Sequence, residues 1–400
     1  MERFFKNAQF DFELRFALGS VYYGGGDVGE ILSTAERIKD GDFESWFTEF
    51  EATGKRVRAI ADEAAARGHD VSAREAYLRA SCYLFLSTSA LDGTADPGRL
   101  LPTWRAHREC FDAFGSRWDP PFEQVEIPYQ DTRLKGHFFR AASSNARRPT
   151  LILNNGSDGP VTAMWLGGAR AALARGYNAM TFDGPGQGEA LWEQGLSFRP
   201  DWERVIHPVV DFLLERDDVD RDRIAISGAS QGGYWVPRAV AFERRIAAAI
   251  VDPGVFDVST AWFEKLPRSM RKLVEEGDRR KFEREFRFAE HFMGKTGRQT
   301  LAFRMKPFGC DSPYEVFEAV RAYNLADVVD QIRIPMLIAD PEGEQFWPGQ
   351  SKQLYEALPG TDRTLISFVA TEGASLHCEP MARSLFDQRV FDWLDQTLGV

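Results

Sequence analysis

The stretch Arg223-Ile-Ala-Ile-Ser-Gly-Ala-Ser-Gln-Gly-Gly-Tyr-Trp235 decides how the rest of the chain is read. Its first half is a short apolar run of the strand type. Its second half continues as Val-Pro-Arg-Ala-Val-Ala241, helical in character. Between them Gly228-Ala229-Ser230-Gln231-Gly232 fits the pattern G-x-S-x-G. A serine on so sharp a strand-to-helix turn sits in strained backbone, and the flanking positions must lack side chains because strand and helix pass too close. The turn lifts the hydroxyl above the sheet, and the helix that starts there aims its amide dipoles at negative charge developing beside it. Ser230 is therefore a candidate nucleophile.

Outward from this turn the chain alternates apolar runs with helical segments. The runs are Thr150-Leu-Ile-Leu153, Asn178-Ala-Met-Thr-Phe182, Arg223-Ile-Ala-Ile-Ser227, Ile246-Ala-Ala-Ala-Ile-Val251, Pro335-Met-Leu-Ile-Ala339 and Thr364-Leu-Ile-Ser-Phe-Val369. Such alternation predicts a mostly parallel sheet covered by helices on both faces. Phe122 to Tyr129 and Leu134 to Arg140 alternate like an antiparallel hairpin turned at Gln130-Asp131. Before residue 120 no strand is expected. Helical periodicity marks Val28 to Ile38, Phe43 to Arg67, Val71 to Leu91 and Pro97 to Phe114, with a break at Asp92 to Gly98. The alternation also stops between Gly254 and about Asp330, where Arg268 to Met293 reads as one charged amphipathic helix. The expected organisation is a helical cap, 1–120, and an α/β catalytic domain, 121–400, interrupted by a helical lid, 254–330.

Four hundred residues with 44% hydrophobic content can bury a large core. A net charge of −11 argues against nucleic-acid and anionic-membrane surfaces. No run approaches the roughly 20 apolar residues of a membrane span, and no signal-peptide apolar region opens the chain, so a cytoplasmic protein is expected. The four cysteines have neither zinc-ligand nor disulfide-framework spacing, and no phosphate-cradling or dinucleotide motif occurs. No metal and no cofactor is implied.

An active serine needs a base, and the chain has six histidines. His69 and His107 fall in the helical cap, His137 on an early strand, and His207 and His291 in helical segments. His377 differs: it lies in Thr371-Glu-Gly-Ala-Ser-Leu-His-Cys-Glu-Pro380, a Gly-containing loop after the last apolar run, before a final helix expected from about Glu379-Pro380. Carboxylates cluster after the strand at 335–339 as Asp340, Glu342 and Glu344, and Asp252 ends the preceding strand.

These features resemble the α/β-hydrolases from about residue 121 onward. Phe12-Glu-Leu-Arg-Phe-Ala-Leu-Gly-Ser-Val-Tyr-Tyr-Gly-Gly-Gly-Asp-Val-Gly-Glu-Ile-Leu32, Gly-Ala-Ser-Gln-Gly-Gly-Tyr-Trp235 and Gly-Ala-Ser-Leu-His-Cys-Glu-Pro380 together are similar to a subgroup. It holds 2,6-dihydroxypseudooxynicotine hydrolase and the polyketide-shortening hydrolases of pigment pathways. The family's chain order of serine, acid, histidine is met by Ser230, an acid after the strand at 335–339, and His377. Counting from Pro335 and back from Pro348, the common pattern lands on Glu344, where relatives mostly carry Asp; Asp340 and Asp252 are the alternatives. The oxyanion amides implied are those of Gln231 and of Ser157 in the loop Asn154 to Gly159, with Gly156 as the alternative. In Phe182-Asp-Gly-Pro-Gly-Gln-Gly188 the expected role of Asp183 is to tie the loop down.

The resemblance implies cleavage of a carbon–carbon bond beside a carbonyl, of retro-Claisen type, in an aromatic or polyketide-like small molecule. It also implies a homodimer. An enolate leaving group needs a second electron sink, which cap residues would hold; Tyr22, Tyr23, Tyr234 and Trp235 are the candidates. A carboxylesterase, lactonase or thioesterase would use the same triad, and a non-catalytic hydrolase-fold binding protein would have lost one member of it.

Overall fold

The computed structural model describes residues 3–89, 94, 96–144, 146–360 and 362–400. The expected helix end at Leu91 and the turn residues Asp92, Gly93 and Ala95 lie outside them. Eight strands form one sheet in the order β1-β2-β4-β3-β5-β6-β7-β8, with β1 at Glu123–Tyr129, β2 at Thr132–Phe139, β3 at Arg148–Asn154, β4 at Asn178–Phe182, β5 at Val219–Ala229, β6 at Ala248–Asp252, β7 at Met336–Pro341 and β8 at Arg363–Phe368. The pairs β1–β2 and β2–β4 are antiparallel and all others parallel. Gln130, at φ 49°, turns the opening hairpin where the sequence places it.

Alternate residues of the central strands feed two cores. Leu151, Leu153, Ala179, Ala225, Ile250 and Leu337 face one side of the sheet. Ile152, Met180, Phe182, Ile226, Val251 and Ile338 face the other. Near-continuous apolar runs are what a sheet buried on both faces requires.

The first core is covered by the N-terminal helices and the last helix, Arg383–Leu398. Among the described residues five α-helices precede the sheet: α1 Ala8–Ser20, α2 Val28–Ala35, α3 Phe43–Ala66, α4 Asp70–Thr88 and α5 Leu100–Gly115. The helix α1 precedes Val28, the first residue of the segments marked by helical periodicity, and so adds one helix to the expected helical region. Asn7 starts it by accepting bonds from the amides of Gln9 and Phe10. Phe10, Leu14 and Ala17 form its buried face, each large side chain stabilising by roughly 2 kcal/mol. Arg108 of α5 pairs with Asp183 after β4 at 2.7 Å, tying these helices to the sheet.

The segment between β6 and β7 carries a small core of its own around Leu273, Phe282, Phe286 and Phe317. The expected single helix from 268 to 293 is two, Arg268–Glu275 and Arg279–Phe292, parted at Gly277 with φ 72°. A further helix, Lys295–Met305, leads back toward the sheet. The last helix begins at Arg383 rather than near Glu379-Pro380, because Cys378 and Glu379 have left-handed φ values of 59° and 40°. Among the described residues no helix is long and apolar enough to cross a membrane.

Candidate active site

Ser230 lies between the end of β5 and the helix Gly232–Val240, with φ 55°. Holding a non-glycine residue there costs about 1–3 kcal/mol. The turn is clamped by a 2.7 Å bond from the Ser230 amide to the Asp252 carbonyl at the end of β6. A Cβ on Gly228 would lie 2.3 Å from the Gly232 carbonyl oxygen, and one on Gly233 would lie 1.9 Å from that of Pro253. The glycines are thus steric necessities.

The Ser230 hydroxyl is 2.9 Å from Nε2 of His377, and Nδ1 of the same ring is 2.7 Å from Oε2 of Glu344. Oε1 of Glu344 accepts bonds from the amides of Phe346 and Trp347, at 2.7 and 3.1 Å. Burial raises the affinity of this carboxyl for a proton, but His377 and the two amides outweigh it and hold Glu344 below the ordinary carboxylate range. An ionised carboxylate on Nδ1 fixes the tautomer that leaves Nε2 free to accept the hydroxyl proton.

The rival acids are placed elsewhere. Asp340 sits at the end of β7, 3.7 Å from Lys352, and burial raises its proton affinity. Glu342 is exposed and accepts the Ala370 amide at 2.8 Å. Asp252 is buried beside Glu379 and Arg383; burial raises the proton affinity of both acids, that of Glu379 far above the usual range. The remaining histidines have other surroundings. His107 bonds Ser81, His137 bonds Asp112, His207 lies 3.4 Å from Glu243, His291 meets the Arg287 carbonyl and His69 is exposed.

The loop after β3 packs directly on the serine: a Cβ on Gly156 would lie 2.7 Å from Ser230 Cβ. The Gly156 amide donates to Asn155 Oδ1 at 2.8 Å, which removes the alternative oxyanion donor. The amides of Ser157 and Gln231 donate to no acceptor among the described residues. Gln187 braces the loop through bonds of 2.8 and 2.7 Å to the carbonyls of Asn155 and Gly156. Asp183 ties down its own turn by accepting the Glu189 amide at 3.1 Å.

Tyr234 and Trp235 do not face the site. Both are fully buried in the core, with the phenol donating to the Pro200 carbonyl at 3.0 Å and the indole stacked on Trp202 at 4.3 Å. The position after the serine turn faces inward because its helix packs against β5 and β6. Tyr23 donates to Asp387 at 2.7 Å, and Tyr22 is exposed beside it; neither touches the triad. The aromatic residues that do flank His377 are Phe346, Trp347 and Phe12, with ring centroids at 4.6, 6.0 and 6.5 Å. Sequence reasoning missed Phe12, although its motif was singled out, because no local pattern tells which face of α1 meets a loop more than 360 residues away. Among the described residues no three His, Cys, Asp or Glu side chains are grouped to hold a metal ion.

The mostly parallel sheet, the strained serine turn and the helices on both faces define the α/β-hydrolase class. A model of the prolyl oligopeptidase family matches residues 173–291, the part that includes the serine turn. Across its whole length the chain is 30% identical to hydrolase acrC of Aspergillus aculeatus and 31% identical to 20-hydroxy-prefusarin hydrolase FUS2 of Gibberella moniliformis, spanning 99% of each. The crystal structure of 2,6-dihydroxy-pseudo-oxynicotine hydrolase shares the fold over 95% of both chains, with a TM-score of 0.75 and 20% identity. The chain belongs to the family of α/β-hydrolases that includes these fungal proteins, and it is a hydrolase.

Proposed function

We propose that the protein cleaves a carbon–carbon bond beside a carbonyl in an aromatic or polyketide-like small molecule, by nucleophilic catalysis at Ser230. In this reading His377 takes the serine proton, Glu344 steadies the imidazolium, and the amides of Gln231 and Ser157 receive the oxyanion. The C–C bond then breaks toward an enolate stabilised by a second carbonyl or ring, and water releases the acyl group.

The observation that carries the proposal is the unbroken line Ser230–His377–Glu344, at 2.9 and 2.7 Å, with Phe12 and Phe346 beside its histidine. The line supports acyl transfer, and the rings give an apolar wall suited to an aromatic or extended carbon skeleton. The resemblance of the three motifs to C–C hydrolases supports the choice of bond. Relatives named for 20-hydroxy-prefusarin and 2,6-dihydroxy-pseudo-oxynicotine agree with a substrate of that kind. We read residues 1–120 and 254–330 as two caps over the catalytic domain, 121–400. The setting carried over is a homodimer in the cytoplasm, and four unpaired thiols suit a reducing compartment.

The test is turnover of benzoylacetone against turnover of p-nitrophenyl esters. Release of a carboxylic acid and a ketone from benzoylacetone is the expected result. Fast ester hydrolysis with benzoylacetone inert assigns the protein to the esterases, and absence of fluorophosphonate labelling at Ser230 rejects both.

A further inference from the structure

The residue after Phe12, whose ring lies 6.5 Å from that of His377, is Glu13, a carboxyl on α1. Protein surrounds it, yet part of its surface stays accessible, as for a group lining a cleft. Among the described residues it accepts a long hydrogen bond from Ser89 Oγ at 3.3 Å. The charged groups that face it are Asp158 and Arg304, from two other elements. Asp158 follows Ser157 in the loop beside Ser230 and accepts the Ser157 hydroxyl at 3.2 Å. Arg304, on the helix Lys295–Met305, donates to Asp158 at 3.0 Å and lies 6.0 Å above the Phe346 ring. Phe346 in turn packs on His377. Three segments far apart in sequence thus meet beside the triad, and Glu13 is the carboxyl that α1 brings to them.

Arg304 is engaged by Asp158, and among the described residues Glu13 forms no ion pair. Burial and the Asp158 charge push it up to about 7, against the bond from Ser89 and the charge of Arg304. A carboxyl in this state can hold a proton at neutral pH and give it away.

We propose that Glu13 is the substrate-facing acid of this site, donating its proton to the oxygen of the second carbonyl as the C–C bond breaks. The inference rests on the C–C reading. The bond's electron pair moves into the enolate, the Glu13 proton joins the enolate oxygen, and an enol leaves that tautomerises in solution. Glu13, now a carboxylate, recovers a proton from His377 through solvent, before His377 takes the next proton from the water that hydrolyses the acyl-serine.

The test reads binding and turnover separately. In the Ser230→Ala protein, benzoylacetone binding should be constant at low pH and weaken about tenfold per pH unit above about 7, because only protonated Glu13 donates. Adding Glu13→Gln, whose amide donates at every pH, should flatten that profile. In the otherwise wild-type enzyme Glu13→Gln should lower kcat/KM for benzoylacetone by about 10²-fold or more. A flat profile with Glu13 present, an unchanged slope after Glu13→Gln, or no binding at all would overturn the proposal. Wild-type cleavage of benzoylacetone with a flat profile removes Glu13 and keeps the C–C reading. A Glu13-dependent profile without cleavage does the reverse.

Discussion

Glu344 and the pair Asp252–Glu379 are all enclosed carboxyls near one another, Glu344 and Asp252 within reach of His377, and they are satisfied in opposite ways. Glu344 has three donors, two of them backbone amides from its own loop, and stays ionised. In the other group, Asp252 Oδ1 and both oxygens of Glu379 have no donor partner among the described residues, and the nearest cation, Arg383, also serves Asp387. A buried carboxyl without donors is cheaper neutral than charged. Burial therefore raises the proton affinity of both members, that of Glu379 the more strongly. Position beside a histidine does not make a carboxyl its partner; the supply of donors does.

This contrast can be broken at its strong end first. Ser230→Ala should lower kcat by roughly 10⁴- to 10⁶-fold, measured on whichever substrate turns over. Glu344→Gln should cost about 10⁴-fold, since the amide favours the wrong imidazole tautomer, while Asp252→Asn and Asp340→Asn stay within about tenfold of wild type. The reverse ranking would move the acid to Asp252. Gly156→Ala pushes a methyl against Ser230 Cβ and should lower kcat by about 10²-fold, with KM changed less.

The smallest effect is on stability. A folded-state proton affinity raised above the unfolded one contributes stability that is full at low pH and is lost as pH rises through the folded value. Glu379 is of that kind. Glu379→Gln should therefore raise the melting temperature by a few degrees above neutral pH (about 1 kcal/mol shifts Tm by roughly 2 °C in a chain of this size) and by less at pH 5. A larger gain at pH 5 would show that Glu379 is ionised in the fold.

The same contrast marks what a sequence displays and what it hides. The serine turn was legible because its glycines answer to contacts within a few residues, such as Gly228 against Gly232. His377 and Glu344 were legible because each follows an apolar run and their order along the chain matches a known pattern. Tyr234 and Trp235 misled, since an aromatic pair beside the nucleophile looks like a substrate contact and only packing against Trp202 and Pro200 shows otherwise. Phe12 and Glu13 were hidden because α1 reaches the site across more than 300 residues of chain. Glu379 was hidden because two consecutive left-handed residues have no side-chain signature outside glycine and asparagine.

The central claim is that Ser230 becomes acylated as a carbon–carbon bond breaks, and peptide mapping of enzyme quenched during benzoylacetone turnover tests it most directly. An acyl group on the peptide that carries Ser230, together with carboxylic acid and ketone products, is the expected result. Cleavage by the Ser230→Ala protein, or an acyl group at Ser230 from esters but none from benzoylacetone, would contradict it.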